Sequence, residues 1–262
     1  LVLSELKTQA LRYVVLGDLG RAFRTYEAIV RAVPADLDAR MKVADACVTA
    51  RLHDLARRVY AAVAFYDLQG GRPLHALVAA QALHSLQPAP AFGQGPGGPD
   101  VANLHESLAQ LYGAGSPRLG RGGRLAPPDP NTPVPPPALV DEADPGAAAL
   151  DAAEAASSTT SLTEFPPMFP PVPLLSERHP AAFSRVLSTV RVLRLPHGAA
   201  VVREGEPGTS FFLVAAGMVR VFSTDALGKQ TELARLGYGA IFGELALVAA
   251  QPRSASVEVV GE

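Results

Sequence analysis

FGELALVAAQPRSASV, residues 242–257, is the stretch that decides how the last third of the chain folds. It begins with an aromatic residue, a glycine and an acid, and it continues through six residues that favour a helix. Pro252 then ends the helical pattern, and Arg253 precedes a run of β-type residues. The stretch therefore predicts a short helix followed by a tight turn into a strand.

The residue types in this stretch suit a phosphate group. Gly243 precedes the short helix, so a ligand can approach exposed backbone N–H groups, and the N-terminus of a helix favours an anion. Arg253 adds a fork of N–H donors that matches phosphate oxygens. Glu244 is unfavourable beside an anion unless the ligand also offers a hydroxyl donor. Glu244 and Arg253 together predict a ligand in which a phosphate and a sugar hydroxyl lie close together.

The residues around this stretch indicate short strands separated by glycines. A helix is predicted over 174–193, and it overlaps the first β-type run. The β-type runs are 190–195, 199–203, 210–215, 218–224, 231–236 and 256–260. Short strands with turn signals every 8–12 residues are typical of an all-β sandwich or roll. We predict an antiparallel β-roll of the double-stranded β-helix or jelly-roll type, with short helices, over 173–262.

Residues 242–257 resemble the phosphate-binding cassette of cyclic-nucleotide-binding domains, the family of the catabolite activator protein and protein kinase A regulatory subunits. The family pattern is approximately F-G-E-[LI]-A-L, a short variable loop and P-R-[AST]-A, and this sequence matches each fixed position. The resemblance extends back through REGEPG at 203–208 and covers about 173–262. It implies a domain that binds cAMP or cGMP as its ligand and needs no cofactor.

The resemblance also implies a role for each matching residue of the cassette. Glu244 would accept a hydrogen bond from the ribose 2′-hydroxyl, and Arg253 would pair with the exocyclic phosphate oxygens. Gly243 would permit the close approach, and Ser254 would add a hydroxyl donor that is compatible with both cAMP and cGMP. The remaining phosphate donors would be the backbone N–H groups of Leu245, Ala246 and Ala255.

Catalysis finds no support in the sequence. Hydrolysis of a cyclic nucleotide needs clustered metal ligands or a nucleophile with an oriented base. The 6 histidines are scattered, and none is paired with acids at a suitable spacing. We therefore predict no catalytic residue, no metal and no enzyme activity. A β-roll that keeps its shape but has lost ligand binding is the alternative for this domain.

A period of 34 residues marks the helical segment 1–87. The residues that recur at this spacing include Ala10 with Ala44, Ala22 with Ala56, and Tyr26 with Tyr60. The pattern resembles the tetratricopeptide repeat, in which small residues let paired helices approach and aromatic residues fill the gap. An ordinary stack of antiparallel helices is the alternative. Either arrangement predicts a docking surface for a protein partner. Cys47 is expected in the core as a small, inert hydrophobic residue.

Residues 88–172 differ from both flanking segments in composition. Eighteen of the 24 prolines lie between 88 and 173, and proline removes backbone donors and favours extended conformations. We predict a flexible linker with possible short helices at 101–112 and 146–156. The basic, glycine-rich patch at 118–124 lacks the preceding strand, the following helix and the Lys-Ser/Thr of a phosphate loop. We therefore assign that patch to the linker.

Charge, cysteine content and hydropathy exclude several classes of protein. The formal net charge of −2 does not support nucleic-acid binding within this chain. The single cysteine allows no internal disulfide, and no apolar run is long enough to cross a membrane. These features predict a cytoplasmic protein. The chain starts at Leu1 and ends where the family's last strand and hinge helix would follow, so we expect the 173–262 domain to be truncated at its C-terminus.

Together these features predict an α+β multidomain protein with an N-terminal α-helical repeat and a C-terminal antiparallel β-roll. The predicted function is a cyclic-nucleotide-responsive regulatory protein that relays the ligand signal to a partner or to a downstream domain. One alternative is a transcription regulator of the catabolite-activator type whose DNA-binding part lies outside this chain. The other is a protein-interaction scaffold with a non-binding β-roll.

Overall fold

The computed structural model describes residues 1–86, 104–138, 145–158, 164–248 and 251–261. The chain forms two compact units. One unit comprises Leu1–Pro171 with Arg178–Ser188, and the other comprises Val172–Glu177 with Thr189–Glu262. No helix in the described ranges is long and apolar enough to cross a membrane.

The first unit is helical, as predicted for the N-terminal region. Aspartates begin two of its helices: Asp18 accepts a hydrogen bond from the backbone N–H of Arg21, and Asp36 accepts one from that of Ala39. The helices described in this unit are α1 (Leu3–Val15), α2 (Leu19–Ala32), α3 (Leu37–Thr49), α4 (His53–Gln69), α5 (Pro73–Ser85), α6 (Leu104–Tyr112), α7 (Pro145–Ser157) and, apart from its last residue, α8 (Pro180–Thr189).

The two alanine pairs and the tyrosine pair named above, each 34 residues apart, lie in the helical core. The paired alanines occupy α1 and α3 in one case and α2 and α4 in the other, and each of them is inaccessible to solvent. The paired tyrosines, Tyr26 on α2 and Tyr60 on α4, are 2% exposed. Small residues at these points let neighbouring helices approach closely, and the tyrosine rings fill the remaining volume.

The described residues between 104 and 171 do not behave as the linker that the sequence predicts over 88–172. The predicted helices at 101–112 and 146–156 correspond to α6 and α7, with 101–103 outside the described residues. Helix α7 packs against α2, α3 and α4, and its alanines are part of the core. The proline-rich composition indicated a linker, but alanine has a high helix propensity and a small side chain that fits between other helices. An alanine-rich helix such as α7 can therefore be part of the core although it has few large apolar residues.

The proline-rich residues before α7 are also fixed to the helices. The carbonyl oxygens of Thr132 and Pro130 accept hydrogen bonds from the backbone N–H groups of Leu3 and Ser4. These donors lie in the first turn of α1, where a helix supplies no acceptor of its own. Proline lacks an N–H but keeps its carbonyl, so this segment can serve as an acceptor for a helix end.

The second unit contains the predicted antiparallel β structure. Its strands are β1 (Ala200–Val202), β2 (Phe212–Leu213), β3 (Met218–Thr224), β4 (Gln230–Leu236), β5 (Ile241–Phe242) and β6 (Ser256–Gly261). They form a four-stranded sheet in the order β1-β6-β3-β4 and a separate β2-β5 pair. The short helix α9 (Glu244–Val248) follows β5 directly. The core between them contains Val202, Val214, Val219, Phe242 and Val257.

Two details of this region differ from the sequence prediction. The helix predicted over 174–193 begins only at Pro180, whose fixed φ angle suits a first turn. The run 190–195 is not a strand, although its valines and leucines favour one. Most residues of this run are exposed, so they lack the buried face on which strand propensity depends.

Candidate functional site

The side chain of Arg253 lies inside the second unit, where it bonds to two backbone carbonyls. Only 7% of the residue is exposed. Its Nη1 donates to the carbonyl oxygen of Gly243 at 2.7 Å, and its Nη2 donates to that of Ser210 at 2.8 Å. The guanidinium carbon lies 5.6 Å from the centre of the Phe212 ring. The arginine therefore links the residue before α9 to the start of β2.

The backbone of Arg253 is fixed from a third direction by the turn that follows β1. Its N–H donates to the carbonyl oxygen of Glu206 at 2.8 Å, and its own carbonyl accepts from the N–H of Gly205 at 2.8 Å. The side chain of Glu206 accepts from the N–H of Arg203, and that of Glu204 accepts from the N–H of Thr224. These contacts fix the turn that follows β1.

Two glycines make room for the guanidinium group. Gly243 has φ +81°, a conformation that L side chains rarely adopt, and an added Cβ would lie 2.5 Å from Nη1 of Arg253. An added Cβ on Gly208 would lie 2.6 Å from both Cζ of Arg253 and Cβ of Ala246. A side chain at either position would therefore displace the arginine or the helix beside it.

A pair of stacked rings holds the two strands that flank the arginine. Phe212 in β2 pairs with Phe242 in β5, and their ring centres lie 5.1 Å apart with an interplanar angle of 13°. Phe242 directly precedes Gly243, so the stack fixes the point at which the chain turns into α9. The acceptor carbonyl of Gly243 is thereby fixed relative to Arg253.

The charge of Arg253 is not balanced by a carboxylate in the described part of the chain. Other arginines of this unit do form ion pairs, such as Arg220 with Glu258 and Arg235 with Glu232. A buried cation bonded only to neutral oxygens is costly, and an anion placed against it removes much of that cost. Among the described residues, Nε of Arg253 has no acceptor. The arrangement is therefore suited to binding an anion.

The remaining residues predicted for the site surround this arginine. Glu244 begins α9 and is half-buried, and its carboxylate makes no hydrogen bond or ion pair within the described residues. Leu245 is exposed and Ala246 is buried; both belong to the first turn of α9, where backbone N–H groups have no acceptor within the helix. Ser254 is exposed and Ala255 is half-buried.

Three residues at this site have roles that the sequence did not assign. Gly208 leaves the space for the guanidinium group, Ser210 supplies an acceptor carbonyl, and Phe212 places its ring beside the charge. Gly208 ends the REGEPG stretch, so the motif contained a signal for it. Ser210 acts through its backbone, and no residue type signals such a contact.

Comparison with protein-family models identifies the second unit. Residues 172–262 match the cyclic nucleotide-binding domain. This match agrees with the boundaries and with the family expected from the cassette at 242–257. No group of three or more His, Cys, Asp or Glu side chains that could hold a metal ion occurs among the described residues.

Curated proteins from several organisms carry a similar segment. A cyclic nucleotide-gated potassium channel of Mesorhizobium japonicum is 38% identical over 86 residues, which are 33% of this chain and 22% of the channel. A cAMP-dependent protein kinase regulatory subunit of Aspergillus fumigatus is 36% identical over 86 residues, 33% of this chain and 20% of that protein. The cyclic AMP receptor protein of Thermus thermophilus is 36% identical over 88 residues, 34% of this chain and 41% of that protein.

The likeness to these relatives is confined to one domain. The chain spans less than half the length of each of them. The domain at 172–262 is homologous to the corresponding parts of the kinase regulatory subunit and the receptor protein. The helical unit lies outside the family match at 172–262, apart from residues 178–188.

Proposed function

We propose that residues 172–262 bind a 3′,5′-cyclic nucleotide and that the chain is a regulatory protein that responds to it. The observation that carries the proposal is the buried Arg253, which bonds to two carbonyls and to no carboxylate of the described residues. The family match and the named relatives support the same ligand class.

The proposed ligand engages the residues that resemble the family cassette. Arg253 binds the exocyclic phosphate oxygens, and Glu244 accepts a hydrogen bond from the ribose 2′-hydroxyl. Gly243 gives the phosphate access to the backbone, and Ser254 supplies a hydroxyl. The backbone N–H groups that complete the phosphate site belong to Leu245, Ala246 and Ala255. Both cAMP and cGMP present these groups, so both are proposed ligands.

Phosphate binding competes with the carbonyl contacts of Arg253. A hydrogen bond from a guanidinium to an anionic oxygen is about twice as strong as one to a neutral acceptor. The phosphate therefore draws the guanidinium away from the carbonyls of Gly243 and Ser210. Since these carbonyls lie beside α9 and β2, the exchange of partners gives the domain a local means of responding to its ligand.

We propose a binding role without catalysis and without a cofactor. Arg253 and Glu244 offer contacts for phosphate and hydroxyl groups, and neither residue is placed with an oriented base or a metal ligand set in the described ranges. A site of this kind holds the phosphate diester without activating water against it.

We further propose that the helical unit belongs to the tetratricopeptide type and docks a protein partner in the cytoplasm. The repeated alanine and tyrosine pairs lie on matching helices, α1 with α3 and α2 with α4, and these residues are buried. Stacked helix pairs of this kind present extended faces to other chains. The relay of the nucleotide signal to such a partner is part of this proposal.

Isothermal titration with cAMP and cGMP tests the binding proposal. The expected result is saturable binding of at least one of them to the unaltered chain and loss of that binding in Arg253→Ala. Arg203→Ala is the matched control, because Arg203 lies in the same unit with 71% of its side chain exposed. Absence of binding to the unaltered chain would favour a scaffold with a non-binding β-roll.

A further inference from the structure

Helix α7 stands apart in sequence from the helices on which it lies. The 75 residues 70–144 separate α4 from α7, yet α7 packs against α2, α3 and α4. It presents a face of small residues, and each of these alanines is at most 1% exposed: Ala148, Ala149, Ala152, Ala153 and Ala156. On the opposite side, Leu150 is 49% exposed. The helix therefore packs on α2, α3 and α4 with only one of its faces.

Two arginines that are related by the 34-residue period hold α7 at separate points. Arg24 on α2 forms an ion pair with Asp151, with Nη1 and Oδ2 2.6 Å apart. Arg58 on α4 donates from Nε to the side-chain oxygen of Ser157 at 2.9 Å. Asp151 and Ser157 are six residues apart, which is about 9 Å along a helix. Arg24 and Arg58, which are at equivalent positions of the two helix pairs, thus contact two separate points of α7.

A third arginine holds the C-terminal end of α7. Arg40 on α3 is inaccessible to solvent, and its Nη1 donates to the carbonyl oxygen of Ala156 at 2.7 Å. The hydroxyl of Tyr66 donates to the carbonyl oxygen of Ser158. The last carbonyls of a helix have no partner within it, so Arg40 and Tyr66 recognise the end of a helix. Such contacts do not depend on the side chains of the bound segment.

We propose that the face formed by α2, α3 and α4 is a helix-docking surface, that α7 occupies it in cis, and that a helix of a partner protein takes its place. The partner helix has a face of alanine or other small residues and an acidic residue about one and a half turns before its C-terminal end. Nε of Arg24 is buried without an acceptor among the described residues, so α7 leaves part of this surface unsatisfied. A partner helix with a second acidic group gains that contact.

This inference rests on the docking role proposed for the helical unit and is independent of nucleotide binding by residues 172–262. Because α7 is part of the same chain, its effective concentration at the surface is of the order of mM. A competing helix must therefore bind more tightly than α7 or bind while α7 has left the surface. While α7 occupies the surface, partner helices that bind weakly or fit poorly are therefore excluded from it.

Hydrogen exchange on the unaltered chain tests whether α7 is a separable occupant. The expected result is that amides of α7 exchange through a local opening, while amides of α2 and α4 stay protected at least about tenfold longer. Exchange of all three helices as one unit would overturn the inference and would leave nucleotide binding, measured by titration, unaffected. This measurement uses the unaltered chain, so it tests the inference even if the substitutions described next unfold the helical unit.

Competition with a synthetic peptide of residues 145–158 tests recognition. In Ala152→Glu, a charge on the buried face expels α7, and the labelled peptide is expected to bind at least about tenfold more tightly than it binds the unaltered chain. Leu150→Glu changes the exposed side of α7 and is the matched control, which is expected to behave as the unaltered chain. Equal affinity for Ala152→Glu and Leu150→Glu would overturn the inference. The peptide with Asp151→Asn is expected to bind about tenfold more weakly, because it lacks the partner of Arg24.

Discussion

Nη1 of Arg253 lies 2.7 Å from the carbonyl oxygen of Gly243, ten residues earlier in the chain. This contact closes the segment that contains α9, because one of its ends supplies the donor and the other supplies the acceptor. The acceptor faces the arginine because Gly243 has a positive φ angle. The two residues that carry the strongest sequence signal therefore meet directly in the structure.

Arg253→Lys should separate the charge of this side chain from its geometry. A lysine keeps the positive charge, but one ammonium group cannot reproduce the planar fork with which the guanidinium is proposed to bond to the phosphate oxygens. Loss of charged hydrogen bonds of about 1.5–3 kcal/mol each predicts cyclic-nucleotide affinity that is ten- to a hundredfold weaker. Isothermal titration measures the change, and Arg203→Lys serves as the control. Affinity equal to that of the unaltered chain would show that Arg253 does not bind the phosphate through its fork.

Gly208→Ala should weaken the site although it removes no polar group. The added Cβ would lie 2.6 Å from Cζ of Arg253 and from Cβ of Ala246, so the arginine or α9 must move. Overpacking of this kind costs about 1–3 kcal/mol, and we expect a lower Tm and weaker nucleotide binding. Gly237→Ala is the matched control, because its added Cβ meets no atom within 4 Å. Equal Tm values for the two variants would contradict this prediction.

Glu244→Ala should remove discrimination at the ribose. The proposed hydrogen bond joins its carboxylate to the 2′-hydroxyl, so the variant is expected to bind cAMP at least about tenfold more weakly than the unaltered chain. The unaltered chain should also prefer cAMP over 2′-deoxy-cAMP, whereas Glu244→Ala should bind the two alike. Isothermal titration of cAMP and 2′-deoxy-cAMP into the unaltered chain and into Glu244→Ala measures this preference. Glu232→Ala is the control, because Glu232 is exposed. A preference for cAMP that persists in Glu244→Ala would assign the hydroxyl contact to another group.

The contact between Gly243 and Arg253 was predictable because the residues of the cassette are close in sequence. Gly243, Glu244 and Arg253 lie within eleven residues, and their types alone indicate an anion site next to a hydroxyl acceptor. The roles of Gly208 and Ser210 were not predicted, because each lies more than forty residues before Arg253 in the chain. Such contacts depend on where the turn after β1 is placed, which short-range patterns do not specify.

The largest difference between sequence and structure concerns α7. Proline-rich flanks and a low content of large apolar residues indicated a linker, and the helix itself was anticipated only as an isolated element. Its partners lie far away in sequence: Arg24 meets Asp151 across 127 positions and Arg40 meets Ala156 across 116. An alanine face is recognisable as a packing surface only when the complementary surface is known.

Cys47 should be unreactive in the folded chain. It is inaccessible to solvent in the helical core, and burial raises the pKa of its thiol to about 12. Since the thiolate is the reactive form, we expect Ellman's reagent to leave the native protein unmodified at mildly alkaline pH and to label it after unfolding in guanidinium. The rate of labelling should follow the unfolded fraction as denaturant increases. Rapid labelling without denaturant would contradict the buried placement of this residue.

Asp67 should make the helical unit less stable as the pH rises from about 4 towards 8. Burial raises the pKa of its carboxyl to about 8, which outweighs the opposing effect of Arg72. An acid whose pKa is raised on folding contributes stability that is complete below its unfolded pKa of about 4 and is lost as the pH approaches 8. Burial also lowers the pKa of His75 to about 4, so its opposite effect is confined to pH values below 6.5.

Between pH 6.5 and 8 the contribution of Asp67 can therefore be measured without that of His75. Asp67→Asn keeps a neutral side chain of similar shape at every pH, so its stability relative to the unaltered chain should rise by up to about 1.4 kcal/mol per pH unit in this window. Urea denaturation followed by far-UV circular dichroism gives the difference at each pH. Asp54→Asn is the control, because the side chain of Asp54 is 87% exposed. A stability difference between Asp67→Asn and the unaltered chain that stays constant across the window would show that Asp67 remains ionised in the fold.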